Sequence, residues 1–110
     1  MAMFGENTCK AWADASMAGT MSLRDSYNFS SVTDIGTGRI RFSFDVDAVA
    51  SKYAIATLSG NNSGTTTSGR TQNLDSSRAA ANFIIRNLNM NSANAVVDDT
   101  YIGVIVFMDT

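Results

Sequence analysis

The sequence of 110 residues has no histidine and no proline, and Cys9 is its one cysteine. Without histidine the chain cannot build a His-based triad, an imidazole metal site or the usual proton shuttle near neutral pH. A single cysteine excludes an internal disulfide and a multi-cysteine metal cage, and we predict a small buried or half-buried thiol. We therefore expect no catalytic residues, no metal and no cofactor, and the chain is not expected to be an enzyme.

Long apolar runs and clustered positive charge are also missing. No run of about eighteen apolar residues is present, and the opening MAMFGENTCKAW lacks the order of a secretory signal. The net charge is −2, and the eight Lys and Arg residues are scattered singly from Lys10 to Arg86. We predict a protein made in the cytoplasm, without membrane insertion and without a nucleic-acid partner.

The composition that remains favours strands and turns. Ser, Thr and Asn are abundant and Glu6 is the one glutamate, which disfavours helices because short polar side chains compete for backbone hydrogen bonds. A chain of this length fits one domain with one core. We predict a single β domain over 1–110, with an N-terminal tail at 1–8.

A hairpin is predicted in the first half of the chain. Residues 21–30 and 39–46 alternate apolar with polar side chains, the first of them broken at Asp25, where a bend or bulge is expected. The glycines of DIGTG, at 34–38, allow the chain to reverse between them. The apolar row predicted for the second strand is Ile40, Phe42, Phe44 and Val46.

Further strands are predicted at 9–16, 51–60, 79–92 and 101–110. Helix is the alternative for 79–92, but asparagines at 87, 89 and 91 alternate with apolar residues, and we interpret them as the solvent side of an edge strand. The last segment is apolar on both faces and is predicted to be a central strand covered from both sides, with a partner subunit covering one face. The set predicts an all-β fold, a single antiparallel β-sandwich that is jelly-roll-like or barrel-like.

Several motifs resemble a family of domains found in structural proteins of tailed phages, often at the C-terminal end of tail fibres. They are KAW (10–12), GTMSLRDSYNFSSVTDIGTG (19–38), RIRFSF (39–44) and YAIA (53–56), with an echo in TYIGVIVF (100–107). The resemblance implies a non-enzymatic virion component of antiparallel strands, assembled as a homotrimer among other virion proteins. The resemblance implies a location in the virion rather than a ligand. Together with the long polar loop and the rigid β scaffold, it favours a projecting tail-fibre-like module for host attachment, with a host-surface glycan as a candidate partner; the alternative is a capsid decoration or cement protein that stabilises the head.

The candidate ligand-binding residues lie in the polar loop at 60–70, because loops held by a rigid scaffold commonly carry binding. They are Asn61, Asn62, Thr65, Thr66, Thr67 and Arg70. A disordered surface loop is the alternative explanation. The aromatic residues Trp12, Tyr27, Tyr53 and Tyr101 could form a sugar-stacking platform, or belong to the core or to a subunit interface.

Paired carboxylates are the one remaining route to catalysis, in a remote alternative as a glycan-cleaving enzyme. The pairs are Asp45 with Asp47 and Asp98 with Asp99. Asp45 and Asp47 are expected on the solvent face of their strand beside Arg39 and Arg41, where solvation and edge protection explain them. The same acids are candidate Ca²⁺ ligands, but the chain has no twelve-residue loop of the EF-hand type.

Overall fold

The computed structural model describes residues 9–50, 52–60, 70–73, 78–88, 96, 98 and 100–108. These residues form eight strands and no helix, so no described segment is a helix that could cross a membrane. The strands are β1 (Ala11–Ser16), β2 (Ser22–Tyr27), β3 (Phe29–Gly36), β4 (Arg39–Phe44), β5 (Tyr53–Gly60), β6 (Arg70–Asn73), β7 (Asn82–Leu88) and β8 (Tyr101–Met108).

The strands form two four-stranded antiparallel sheets. Sheet A has the order β2-β1-β8-β5, and sheet B has the order β3-β4-β7-β6. The inner faces of the two sheets share one cluster of buried side chains, so the predicted antiparallel β-sandwich is confirmed. The sheets are separate in strand pairing, which makes the domain a sandwich rather than a closed barrel.

The two sheets supply side chains of different size to the core. Apart from Tyr53, sheet A contributes small and branched residues, whereas sheet B contributes four phenylalanine rings beside its isoleucines. The buried positions of sheet A are Ala11, Ala13, Ala15, Tyr53, Ile102, Val104 and Val106, and those of sheet B include Phe29, Ile40, Phe42, Phe44, Phe83 and Ile85. The four Phe rings and Tyr53 form a cluster with neighbouring centroids between 5.1 and 5.9 Å apart. Large groups facing small ones fill the space between the sheets without voids.

The predicted strand at 21–30 is in fact two strands in different sheets. Asn28 has a φ of 60°, in the left-handed region, and separates β2 in sheet A from β3 in sheet B. The predicted reversal at 34–38 is confirmed: Gly36 and Gly38 adopt φ of 138° and 70° between β3 and β4. Asp98 supports this turn, since its Oδ1 accepts a hydrogen bond from the Gly38 N–H at 2.6 Å.

A register shift near Asp25 confirms the predicted irregularity. Pairing of β1 with β2 slips between Asp14 and Ala15, so that Arg24 has no opposite residue. The extra residue places Leu23 against the core and turns Tyr27, 57% exposed, to the outside. The prediction that Leu23 and Tyr27 lie on one face was therefore wrong, because a one-residue bulge moves the side chains that follow it to the opposite face of the sheet.

Two other sequence predictions need correction. Val46 does not continue the buried row of β4; it lies beyond the end of that strand and is 68% exposed. The segment at 79–92 does contain a strand, β7, but Asn87 is fully buried rather than on a solvent side. The reason is that Asn87 is two residues from Ile85 and four from Phe83, so its side chain lies on the same inner face of β7 as these buried residues. β7 is also not an edge strand, because it lies between β4 and β6. Asn89 and Asn91 lie outside the described residues.

Tyr53 is part of the core, and its hydroxyl donates hydrogen bonds to the carbonyls of Ala79 at 2.9 Å and Asn82 at 3.1 Å. Burial raises the pKa of this hydroxyl above its ordinary value of 10.0, although the positive charge of Arg78 opposes the shift. A raised pKa in the folded state means that the folded chain holds the proton more tightly than the unfolded chain. The resulting stabilisation is complete below pH 10 and is lost as the pH rises through the folded-state pKa.

We expect Tyr53→Phe to remove this alkaline loss from the pH profile of unfolding free energy. At neutral pH the variant should be destabilised by about 1 kcal/mol, because the Ala79 carbonyl loses its hydroxyl donor, whereas the Asn82 carbonyl still accepts from the Ala79 N–H at 2.9 Å. Urea titrations between pH 7 and pH 11 measure both effects. Tyr27→Phe, which removes a hydroxyl from an exposed ring, is the control, and an unchanged alkaline slope in Tyr53→Phe would contradict the assignment.

Candidate binding surfaces on sheet A

The outer face of sheet A carries most of the exposed large apolar side chains of the described residues. They are Trp12 (39% exposed), Tyr27 (57%), Leu58 (75%), Tyr101 (42%), Ile105 (45%) and Phe107 (39%). Trp12 is directly opposite Tyr27 on one side and Ile105 on the other, and Ile105 is opposite Ala56. These positions thus form one continuous apolar surface across all four strands, and we call it the outer face of sheet A.

This surface exists because β8 carries apolar side chains on both of its faces. Ile102, Val104 and Val106 point into the sandwich and are buried, while Ile105 and Phe107 point away from it. The prediction that the strand is covered from both sides is therefore wrong for the single chain, since a two-layer sandwich covers each sheet on one side only. The outer face of sheet B, by contrast, is polar, and Arg39 is opposite Arg86 there.

A hollow lies in the middle of the outer face, above Gly103. It has a volume of about 390 Å³, and Trp12, Ala56, Leu58 and Ile105 form its walls. A Cβ atom added at Gly103 would meet nothing closer than the carbonyl oxygens of Ala13 and Leu58, both at 4.0 Å. The glycine leaves the floor of this Gly103 hollow open between the larger side chains that form its walls, as glycine within a strand often does where another group approaches closely.

One end of the outer face is closed by Arg24. Its guanidinium lies over the Tyr101 ring, 4.2 Å from the centroid, and its Nε is 3.8 Å from Asp14 Oδ1. The same side chain donates to the carbonyls of Ala15, at 3.3 Å, and Thr100. The positive charge of Arg24 is thus balanced by the Asp14 carboxylate, and it does not oppose an apolar partner that approaches the face.

A second hollow lies beside Tyr27, where β2 of sheet A passes into β3 of sheet B. It has a volume of about 440 Å³ and is lined by Lys10, Tyr27, Asn28, Asp45 and Val46. An exposed phenol ring, an ammonium group and a carboxylate border the same space, so this Tyr27 hollow offers both a stacking surface and hydrogen-bonding groups. That combination is characteristic of polar-ligand sites with an apolar wall.

Asn28 fixes the shape of the Tyr27 hollow. Its Oδ1 accepts from the Val46 N–H at 2.7 Å, and its Nδ2 donates to the carbonyls of Val46 at 3.2 Å and Lys10 at 3.4 Å. Its own carbonyl accepts from the Asp45 N–H at 3.0 Å. One side chain therefore ties together the segment before β1, the link between the sheets and the segment after β4.

Of the binding residues predicted from the sequence, most lie outside the described residues. These are Asn61, Asn62, Thr65, Thr66 and Thr67. Arg70 begins β6, where its backbone pairs with Leu88 of β7. The prediction that this loop recognises a ligand stays a prediction.

The four predicted aromatic residues divide between two environments. Trp12, Tyr27 and Tyr101 lie on the outer face of sheet A, whereas Tyr53 is in the core. Sequence reasoning did not find Lys10, Asn28 or Gly103. Only Gly103 gave a usable signal, since an isolated glycine inside an apolar strand indicates a close approach or a hollow.

The structure describes three of the four paired acids. Asp45 and Asp47 are both exposed and lie beyond the end of β4, so the expectation that they share the solvent face of that strand was wrong. Asp98 holds the β3–β4 turn, and Asp99 lies outside the described residues. No group of three or more His, Cys, Asp or Glu that could hold a metal occurs in the described part of the chain. Cys9, as predicted, is half-buried.

The structure defines the chain as a two-sheet antiparallel β-sandwich domain, and the fold is similar to part of a phage tail protein. No family model and no curated protein matches the sequence. Among solved structures, the chain is similar to the phiAB6 tailspike, crystallised in complex with three-repeated oligosaccharides of Acinetobacter baumannii surface polysaccharide. The TM-score is 0.64 at 17% sequence identity, and the alignment covers 90% of this chain and 20% of the tailspike chain. The chain thus spans about a fifth of the tailspike's length, and the similarity shows the fold.

Proposed function

We propose that this chain is a non-enzymatic structural domain of a tailed-phage virion, which projects from the tail and attaches to surface polysaccharide of the host. The observation that carries the proposal is the Tyr27 hollow, on a sandwich whose fold is similar to part of a tailspike solved with bacterial surface oligosaccharides. The motifs that resemble those of tail-fibre domains support the same assignment. The domain would act as one part of a larger tail assembly.

The chemistry of the Tyr27 hollow suits a sugar ring. One face of a pyranose is lined by C–H groups and packs against an aromatic ring, while its hydroxyls need donors and acceptors at the edge. Tyr27 supplies the ring, and Lys10 and Asp45 supply a donor and an acceptor beside it. Lys10 would also bind a carboxylate on an acidic sugar. Since the hollow is open, affinity for one site should be modest, and several domains on one virion would raise it through avidity.

We expect Tyr27→Ala and Asp45→Asn each to weaken binding to purified host polysaccharide by roughly tenfold, as expected for loss of one stacking or charge-assisted contact. Biolayer interferometry on immobilised polysaccharide measures this. Asp47→Asn is the matched control, because Asp47 is an equally exposed acid two residues away and outside the hollow. The hollow is the wrong site if the two Asp variants lose binding equally, and the attachment proposal fails if the wild-type protein binds neither polysaccharide nor host cells.

The loop at 60–70 is a second proposed contact. Replacing Asn61, Asn62 and Arg70 with alanine in one variant tests it in the same assay. A loss of affinity that adds to the loss caused by Tyr27→Ala would assign recognition to both the loop and the Tyr27 hollow. Unchanged affinity would exclude the loop. Release of reducing ends from the polysaccharide by wild-type protein, but not by Asp45→Asn, would contradict the non-enzymatic proposal.

A capsid decoration protein is the second candidate, favoured by the apolar outer face of sheet A, which suits packing against other virion proteins. Antibody-gold labelling of intact particles separates the two. Gold at the tail periphery supports attachment, whereas gold over the head supports decoration, in which case particles lacking the protein should lose heat resistance.

A further inference from the structure

We propose that the outer face of sheet A is a self-association surface, and that its occupant is the same face of a second copy of this chain. The six side chains that define it are each between 39% and 75% exposed and share one continuous surface. The largest apolar patch of a typical monomer is about 300–600 Å² and is often functional, so a continuous apolar surface of this kind is a candidate contact surface. The inference goes beyond the attachment proposal and does not depend on it.

The size of the face fits this occupant. β5 and β8 pair over eight residues, and four strands lie side by side. At about 3.4 Å per residue and about 4.8 Å per strand, the face measures roughly 27 by 19 Å, or roughly 500 Å². Two copies face to face would bury roughly 1,000 Å², which is the lower limit for a specific protein interface. The association should therefore be weak, with a dissociation constant in the micromolar range.

Charge and shape also fit a second copy. The net charge of the chain is only −2, and this face carries Arg24 beside Asp14, with Asp25 opposite Asp14, so one uncompensated carboxylate per face leaves like-charge repulsion between two such faces small. The Gly103 hollow has about 390 Å³, more than twice the roughly 150 Å³ that accommodates a benzene molecule. It can receive a large apolar side chain, and the most exposed one on the same face is Leu58. In a two-fold arrangement each copy would supply both the projecting residue and the hollow.

Sedimentation velocity over a dilution series from about 1 to 200 µM tests the proposal. We expect wild-type protein to associate, and Leu58→Lys and Ile105→Lys to raise the dissociation constant by roughly 30-fold or more, as for central interface residues. Val49→Lys is the matched control, since Val49 is 70% exposed and lies outside sheet A. Because Leu58 and Ile105 are exposed, these changes should leave the fold intact, which circular dichroism verifies.

Gly103→Val tests the hollow itself. A Cβ at this position meets only the carbonyl oxygens of Ala13 and Leu58, both at an ordinary contact distance of 4.0 Å, and valine suits a strand, so the fold should be retained while the floor of the hollow is partly filled. Association should fall as in Leu58→Lys. A wild-type chain that stays monomeric at 200 µM overturns the proposal, as does equal behaviour of Leu58→Lys and Val49→Lys. Monomeric wild-type protein whose polysaccharide binding is lost in Leu58→Lys would assign the face to a glycan instead.

Discussion

Replacing Phe83 with alanine is expected to lower the free energy of unfolding by about 3–5 kcal/mol. The Phe83 ring is fully buried and packs against Phe29, Phe42, Phe44 and Tyr53, with centroids 5.5 to 5.9 Å away. Its removal leaves a cavity in the middle of the sandwich, which neighbouring rings cannot fill by moving a single side chain. Since domains of this size are stable by only about 5–15 kcal/mol, the change removes a large fraction of the total stability.

Phe107→Ala is the matched control for this prediction. Phe107 is 39% exposed on the outer face of sheet A, so truncating it should cost the monomer about 1 kcal/mol or less. Urea unfolding followed by circular dichroism compares the two. The protein must be below its dissociation constant, because association of folded chains adds apparent stability. Equal losses in the two variants would contradict the assignment of core and outer face.

Local alternation predicted some elements of this fold correctly. Ile40, Phe42 and Phe44 are buried at every second position of β4, and the glycines after Asp34 form the turn that precedes it. These features depend on neighbours in sequence: side chains of a strand alternate, and positive φ favours glycine. The same reasoning found strand rather than helix in β7.

Features that depend on distant parts of the chain could not be predicted in this way. The division of 21–30 between two sheets follows from the positive φ of Asn28, and its hydrogen bonds reach Lys10 and Val46, each eighteen positions away. Likewise the place of β7 between β4 and β6, where an edge strand was predicted, is a property of strand order. The hydrophobic pattern of the sequence alone predicts neither the division between the two sheets nor the place of β7 within sheet B.

The candidate site was partly visible in the sequence. Trp12, Tyr27 and Tyr101 stand out as aromatic residues, but they are far apart in the chain and meet only because β2, β1 and β8 are neighbours in sheet A. The bulge at Arg24 then decides that Tyr27 faces outward. Strand order and one inserted residue, rather than composition, place these rings on one surface.

Asn28→Ala is expected to cost about 2–3 kcal/mol of unfolding free energy, unusually much for a residue in a partly exposed link. Two effects add. The Val46 N–H loses its acceptor at 2.7 Å, and alanine adopts a φ of 60° less readily than asparagine, a cost of about 1 kcal/mol. Polysaccharide binding should fall as well, because this side chain holds Lys10 and Val46 around the Tyr27 hollow.

Two further variants at Asn28 separate the backbone effect from the hydrogen bonds. Asn28→Gly accepts the positive φ without cost and should recover about 1 kcal/mol relative to alanine, yet it should bind polysaccharide as poorly, because the side-chain bonds are still missing. Asn28→Asp keeps the acceptor for Val46 N–H but loses the donor to the two carbonyls, so its stability should lie between those of glycine and wild type. If glycine restored binding as well as stability, the hollow would depend on backbone conformation alone. If alanine and glycine were equally stable, the left-handed conformation at Asn28 would not be what separates the two sheets.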